Sequence, residues 1–176
     1  YEEIGRFGSR VLAGELKPDA LVGVDVNHDY KAAPGIGDRR MNPQEMGKGF
    51  TMSVGAIASE QLNRFFETTA REQEIPFQRD VVGPDTGTDG MAGVLASVDC
   101  AATSIGFPIR NMHTISESGN TQDVLAAIHA IKGTLQKLDA LDDPHREFMD
   151  NHPRLDTASP LGHQGSDKPE GEEKKD

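Results

Sequence analysis

Residues 20–26, Ala-Leu-Val-Gly-Val-Asp-Val, form an almost unbroken apolar run with one acid near its end. A strand with one solvated face alternates apolar and polar residues, because successive side chains point to opposite faces. A run without that alternation marks a strand covered on both sides, as in the sheets of α/β proteins. Further strand-like segments at 50–54, 77–82 and 101–106 alternate with helix-like ones at 6–16, 56–74, 90–98 and 122–139. This order implies a mainly parallel sheet with helices on both faces. In the helix at 56–74, Ile57, Leu62, Phe65 and Phe66 supply the apolar face, Glu60, Arg64, Arg71 and Glu72 lie outside, and Pro76 follows as a stop. For the last helix Thr121 is the expected cap, and Val124, Leu125, Ile128, Ile131 and Leu135 are expected to face the core.

The stretch 27–46, with Pro34, Gly35, Gly37 and Pro43, reads as one long irregular loop. Residues 1–140 have room for one catalytic-sized domain, whereas 141–176 read as a polar, disordered tail crowded with acids, lysines, prolines and glycines. The net charge of −11 argues against a nucleic-acid partner, whose phosphates are met by Lys and Arg. No apolar run approaches the roughly 20 residues that span a bilayer, so no membrane role is expected. A single cysteine, Cys100, cannot form an internal disulfide and fits a reducing compartment, with the cytoplasm as the default location.

The chemistry concentrates at three places. Adjacent carboxylates, Glu2 and Glu3, run into a glycine turn at Gly5; Asp25 sits in the apolar strand; His113 follows the last strand. Such strand ends are where open α/β sheets place their sites. Imidazole and carboxylate from distant positions suit a divalent metal of borderline character. Neighbours on an extended chain point apart, but a turn at Gly5 lets both glutamates reach one cavity, Glu3 as a metal ligand and Glu2 as the base that takes a proton from water. Each residue also has a plain reading. Asp25 and His113 are open to a structural role, Glu2 to a solvated terminus, and His28 is a rival ligand close to Asp25. Thr86-Gly87-Thr88-Asp89-Gly90 reads equally as a helix cap. Arg110 calls for an anion or a carboxylate partner, and Lys48, between two glycines, either touches substrate or lies in solvent.

Taken together, Glu-Glu-Ile-Gly-Arg-Phe-Gly-Ser, Val-Asp-Val, Gly-Lys-Gly, Gly-Thr-Asp-Gly and Arg-Asn-Met-His-Thr resemble, in this order, the motifs of the tetrahedral (TET) and glutamyl aminopeptidases. The resemblance covers residues 1 to 138. It implies a three-layer α/β/α Zn-peptidase-like fold, here partial, a peptide or small dipeptide substrate, and a homo-oligomer when intact. It also implies two divalent ions, zinc or cobalt, with Glu2 as general base and Glu3, Asp25 and His113 as ligands, and it draws Asp89 towards the site. Residues 83–93 and 109–119 further resemble a branch associated with synthesis of the osmolyte N-acetylglutaminylglutamine amide, which offers a specialised amidase, or a non-catalytic remnant, as alternatives. Asn111 stands where the wider family commonly has Tyr. The family's earlier ligands, a His and a bridging Asp, lie upstream of the Glu-Glu pair, and the inserted domain that supports its oligomer assembly is also missing from this sequence. The chain is therefore expected to be the later part of a larger enzyme, inactive alone, with an apolar sheet edge.

Overall fold

A computed structural model describes residues 2–33, 35, 44–83, 87–96, 100–144 and 147–148. The expected tail, from 149 onward, lies outside the described residues, as do Pro34, residues 36–43 and Thr86. The elements in chain order are α1 (Phe7–Leu16), β1 (Ala20–His28), β2 (Phe50–Gly55), α2 (Glu60–Glu72), β3 (Phe77–Val82), α3 (Asp89–Leu95), β4 (Ala101–Arg110), β5 (Ser118–Gly119) and α4 (Thr121–Asp139).

The sheet runs in the order β1-β4-β2-β3, with β5 paired to β4. Its two long pairings are parallel, as expected, but short antiparallel pairings make it a mixed sheet. β1 and β4 are parallel, β2 and β3 are parallel, and β2 meets β4 antiparallel. The β2-α2-β3 unit obeys the rule that parallel neighbours need a helical crossover. No helix lies between β1 and β2 among the described residues, and the alternating order of elements carries no information about where β4 inserts between them.

Neighbouring residues of β4 show where the layers lie. Thr103 Oγ1 donates to Asn63 Oδ1 of α2 at 2.6 Å. Ser104 Oγ, pointing the other way, shares a hydrogen bond with Thr88 Oγ1 at the start of α3 at 2.5 Å. So α2 and α3 cover opposite faces. On the α2 side, Phe50, Met52 and Ile105 pack with Leu62, Phe66, Ala126 and Ala130 in one apolar cluster. The α3 side carries the small or polar residues Gly23, Asp25, Asn27, Thr51, Ser104 and Gly106, with Leu21 packed against Gly93 of α3. There α3 comes close enough that a Cβ on Gly23 would lie 2.4 Å from the backbone nitrogen of Gly90.

Helix starts follow capping chemistry. α2 begins at Glu60 instead of 56, because Ser59 Oγ accepts from the Leu62 N–H at 3.3 Å. α4 is capped by Asn120, whose Oδ1 accepts from the Gln122 N–H at 2.8 Å, and Thr121 is its first residue. The core face of α4 also departs from expectation. Its buried residues are Asp123, Ala126, Ala127, Ala130, Gly133 and Thr134, whereas Leu125, Ile128 and Leu135 are 44%, 52% and 55% exposed. The cause is close helix packing: a Cβ on Gly133 would lie 2.6 Å from Thr69 Cγ2 of α2, so only small residues fit the contact. Phe148, inside the stretch assigned to the tail, is buried and meets Phe65 edge-on, with ring centroids 5.9 Å apart. Among the described residues no helix is long and apolar enough to cross a membrane.

Candidate active site

A cavity of about 480 Å³ opens on the polar face of the sheet, and Glu2, Glu3, Asp25 and His113 all line it. Four pieces of local structure bring them there. Before α1, the N–H groups of Gly5 and Arg6 both donate to Glu2 O, at 3.1 and 3.0 Å. Gly5 (φ 147°) and Arg6 (φ 55°) take the left-handed conformations this turn requires. The turn lets both glutamates face the cavity.

Asp25 lies within β1, three residues before its end, opposite Gly106 of β4. Its Oδ1 accepts from the Val26 N–H at 2.7 Å. The first turn of α3 supplies Asp89, whose Oδ1 accepts from Ser9 Oγ at 2.6 Å. Thr88 stands at the capping position of α3 without making a side-chain cap, its hydroxyl being turned to Ser104 instead.

Beyond β4 the chain reverses sharply, with Asn111 (φ 58°) and His113 (φ 62°) left-handed. The His113 N–H donates to Glu117 Oε1 at 2.6 Å. This reversal carries His113 Nε2 to 3.5 Å from Glu3 Oε1.

The electrostatics are those of acids gathered without enough positive charge. Burial, then the charges of Asp25, Glu3 and Asp89, push the Glu2 carboxyl above its usual range, with Arg6 opposing. Burial likewise raises Asp25; the Val26 N–H and His113 oppose it, while Asp89 and Glu3 add to it. His28, on the same wall, is held below its ordinary value by burial and by His113.

A divalent ion suits this donor set in chemistry. One imidazole and two carboxylates lie together, and burial, with the negative charges around it, raises the carboxyl of Asp25. Glu3 and His113 are near enough to share an ion, with Asp25 beside them. Among the described residues no three ligand-type side chains are already at coordination geometry.

The remaining candidates are placed as follows. Asp89 stands beside the cluster and acts on it by charge. Arg110 is turned from the cavity, its Nε donating to Asp29 Oδ2 at 2.8 Å. Lys48 is on a turn held by Asp123, whose carboxylate accepts from the Gly47 and Gly49 N–H groups at 2.6 and 2.8 Å, and it does not line the cavity.

Sequence reasoning missed a group of polar residues around Asp80. Asn27 Nδ2 donates to Asp80 Oδ2 at 2.8 Å, and Gln44 Nε2 donates to Asp80 Oδ1 at 2.8 Å. Thr51 Oγ1 donates to Asn27 Oδ1. The Asn27 side chain passes over Gly106, where a Cβ would lie 2.7 Å from its Oδ1. Burial raises the Asp80 carboxyl, and these two amide donors oppose the rise. The available signal was an acid inside a strand, the same that marked Asp25. Asp29 was missed as well: the sequence called for a carboxylate opposite Arg110 without naming it.

The M42 glutamyl aminopeptidase model matches residues 1–129. The chain belongs to that family. It is 31% identical over 141 residues to a lysyl aminopeptidase of Pyrococcus furiosus, covering 80% of this chain and 40% of that protein. Among solved structures, an aminopeptidase of the archaeon Desulfurococcus kamchatkensis superposes with a TM-score of 0.68 at 25% identity, over 78% of this chain and 39% of that one. PhTET1-12s, a dodecamer, superposes with a TM-score of 0.59 at 22% identity, over 74% of this chain and 37% of that one. The α/β architecture is thus that of an M42 aminopeptidase, of which this chain spans about two fifths.

Proposed function

We propose that the intact protein is a metal-dependent aminopeptidase that removes an N-terminal residue from peptides. In this reading Glu3, Asp25 and His113 hold a zinc or cobalt ion, and Glu2 is the general base. The observation that carries it is the meeting of Glu3 and His113, far apart in sequence, at 3.5 Å in one cavity with Asp25 and Glu2. When bound, the ion would supply Lewis acidity towards a peptide carbonyl and towards water.

The chain's own groups do the rest. Glu2, with its raised carboxyl, takes the proton of the attacking water and returns it to the leaving amine, and a base whose pKa moves towards neutrality suits both steps. Asp89 adds negative charge behind Glu2 and Asp25, strengthening the hold on a cation. The family resemblance implies a second ion with two further donors outside this chain, and a homo-oligomeric assembly, as in the dodecameric PhTET1-12s.

In the active enzyme Glu2→Gln keeps its metal, counted by atomic absorption, and loses turnover of aminoacyl-p-nitroanilides by about a thousandfold. Unchanged turnover removes Glu2 from the mechanism. Cleavage of acylated dipeptides in preference to peptides with a free amine marks a specialised amidase instead.

A further inference from the structure

We propose that Asp29 is a positioning residue for His113, acting through Arg110. The proposal rests on the reading of His113 as a metal ligand, which nothing about Asp29 by itself establishes. His113 and Glu3 are 69% and 75% exposed, so no packing wall fixes the imidazole, and its direction is set by the backbone that carries it. That backbone is a reversal with two left-handed non-glycine residues, a conformation L residues adopt at a cost.

Most bonds of the reversal are internal. The Thr114 N–H donates to Asn111 O at 3.1 Å, Asn111 Nδ2 to Ser116 O at 3.2 Å, and the His113 N–H to Glu117 Oε1. These shape the loop without tying it to the site. The tie lies at its base. There β5 pairs Ser118 with Arg110, and the Arg110 guanidinium is anchored on Asp29.

Asp29 is built for that purpose. It is 1% exposed, and its N–H donates to Ile109 O at 2.9 Å, carrying the β1–β4 ladder one step past the end of β1. Its Oδ1 accepts from the N–H groups of Lys31 and Ala32 at 3.0 and 3.3 Å, which locks the carboxylate in a turn. Its Oδ2 holds Arg110, the last residue before the reversal. A buried carboxylate left without its partner is unfavourable, so the pair holds the end of β4 to the end of β1. One of these ends leads to His113, and the other carries Asp25 and His28.

The test is cobalt titration of the 176-residue chain, read by its ligand-field absorption. Asp29→Asn keeps an oxygen for the two N–H groups while removing the charge. Arg110→Gln alters only a half-exposed side chain. Each is expected to weaken cobalt binding about tenfold and to change the absorption band, with no further loss in the double variant. Circular dichroism separates this from unfolding. Cobalt binding like wild type in both variants overturns the proposal, provided that His113→Ala weakens it. No effect of His113→Ala marks failure of the metal reading instead. In that event, or if the chain takes up no cobalt, proton NMR of the metal-free chain decides. Nuclear Overhauser contacts between the His113 ring and Glu3 should be lost in Asp29→Asn, and their persistence there overturns the positioning role.

Discussion

On β4, Thr103 and Ile105 turn towards α2 and α4, whereas Ser104 and Gly106 turn towards α3 and the cavity. The same strands thus present two unlike surfaces. One is an apolar cluster in which Phe50, Met52, Leu62 and Ile105 are wholly buried. The other holds Asp25 and, beside it, Asn27, Thr51 and Asp80, which are joined to one another by hydrogen bonds. Burial of apolar area stabilises the first face, at about 25 cal/mol per Å² removed from water. Burial raises the carboxyls of the second, an arrangement retained where a ligand is to be met. Stability and chemistry thus divide along the plane of the sheet.

The strongest way to break that division is in the core. Leu62→Ala removes a side chain with no exposed surface and should cost about 3 kcal/mol, read by urea unfolding. The folded fraction should bind cobalt as wild type does. A change in cobalt affinity there would mean that the two faces are coupled.

Gly106→Ala attacks the polar face from within its own sheet. The added methyl would lie 2.4 Å from Asp25 O and 2.7 Å from Asn27 Oδ1, so β1 must shift against β4. The expected cost is about 2 kcal/mol. Unlike Leu62→Ala, this change should also move the side-chain amide resonances of Asn27 and weaken cobalt binding. An effect on stability alone would leave Gly106 a packing residue.

How far this division could be read beforehand differs by residue. The strands were legible because apolar runs survive in any topology, and Asp25 stood out as an acid inside one. Strand direction was not legible, since a run of buried residues is the same read either way. The core face of α4 was misread for a physical reason. Periodicity ranks residues by hydrophobicity, whereas the contact with α2 at Gly133 selects for size, so alanines and a glycine are buried and Leu125, Ile128 and Leu135 are left outside, while Ile131 packs against the core as expected. The meeting of Glu3 with His113 was suggested by donor chemistry at strand ends, and the family resemblance then made it specific. Asp29 was not legible, because its partner Arg110 lies 81 positions away and their pairing depends on β1 and β4 being neighbours.

A smaller effect should appear in pH dependence, with opposite signs at two buried acids. The Asp80 carboxyl is raised by burial, so the folded state holds its proton more firmly than the unfolded chain does. Ionising Asp80 therefore lowers stability as pH rises from its unfolded value, about 3.9, to its higher folded value, and the loss is constant above that. Asp80→Asn removes this term. Its stability relative to wild type should climb with pH through that window and then level off, whatever fixed offset the new amide brings. Asp29 has the reverse sign. Burial alone would raise it, but Arg110 and the N–H groups of Ala32 and Lys31 outweigh burial and hold it below the usual range. The stability it contributes is present above about pH 3.9 and is lost as pH falls through its lower folded value. A flat difference between wild type and Asp80→Asn across this range would show that Asp80 is not short of countercharge.

The smallest expected effect tests the outer side of the apolar layer. Leu135 belongs by periodicity to the core stripe of α4, yet it is 55% exposed while its neighbour Thr134 is fully buried and donates to Thr69 Oγ1 at 3.3 Å. If exposure governs, Leu135→Gln should alter unfolding free energy by less than about 0.5 kcal/mol, as substitutions at surface positions do. Thr134→Leu, a change towards the hydrophobic pattern, should be far worse, because it forces bulk into the contact with α2. A loss of about 2 kcal/mol or more at Leu135 would show that the outer stripe of α4 is covered after all, and that the apolar layer extends beyond the helices that now bound it.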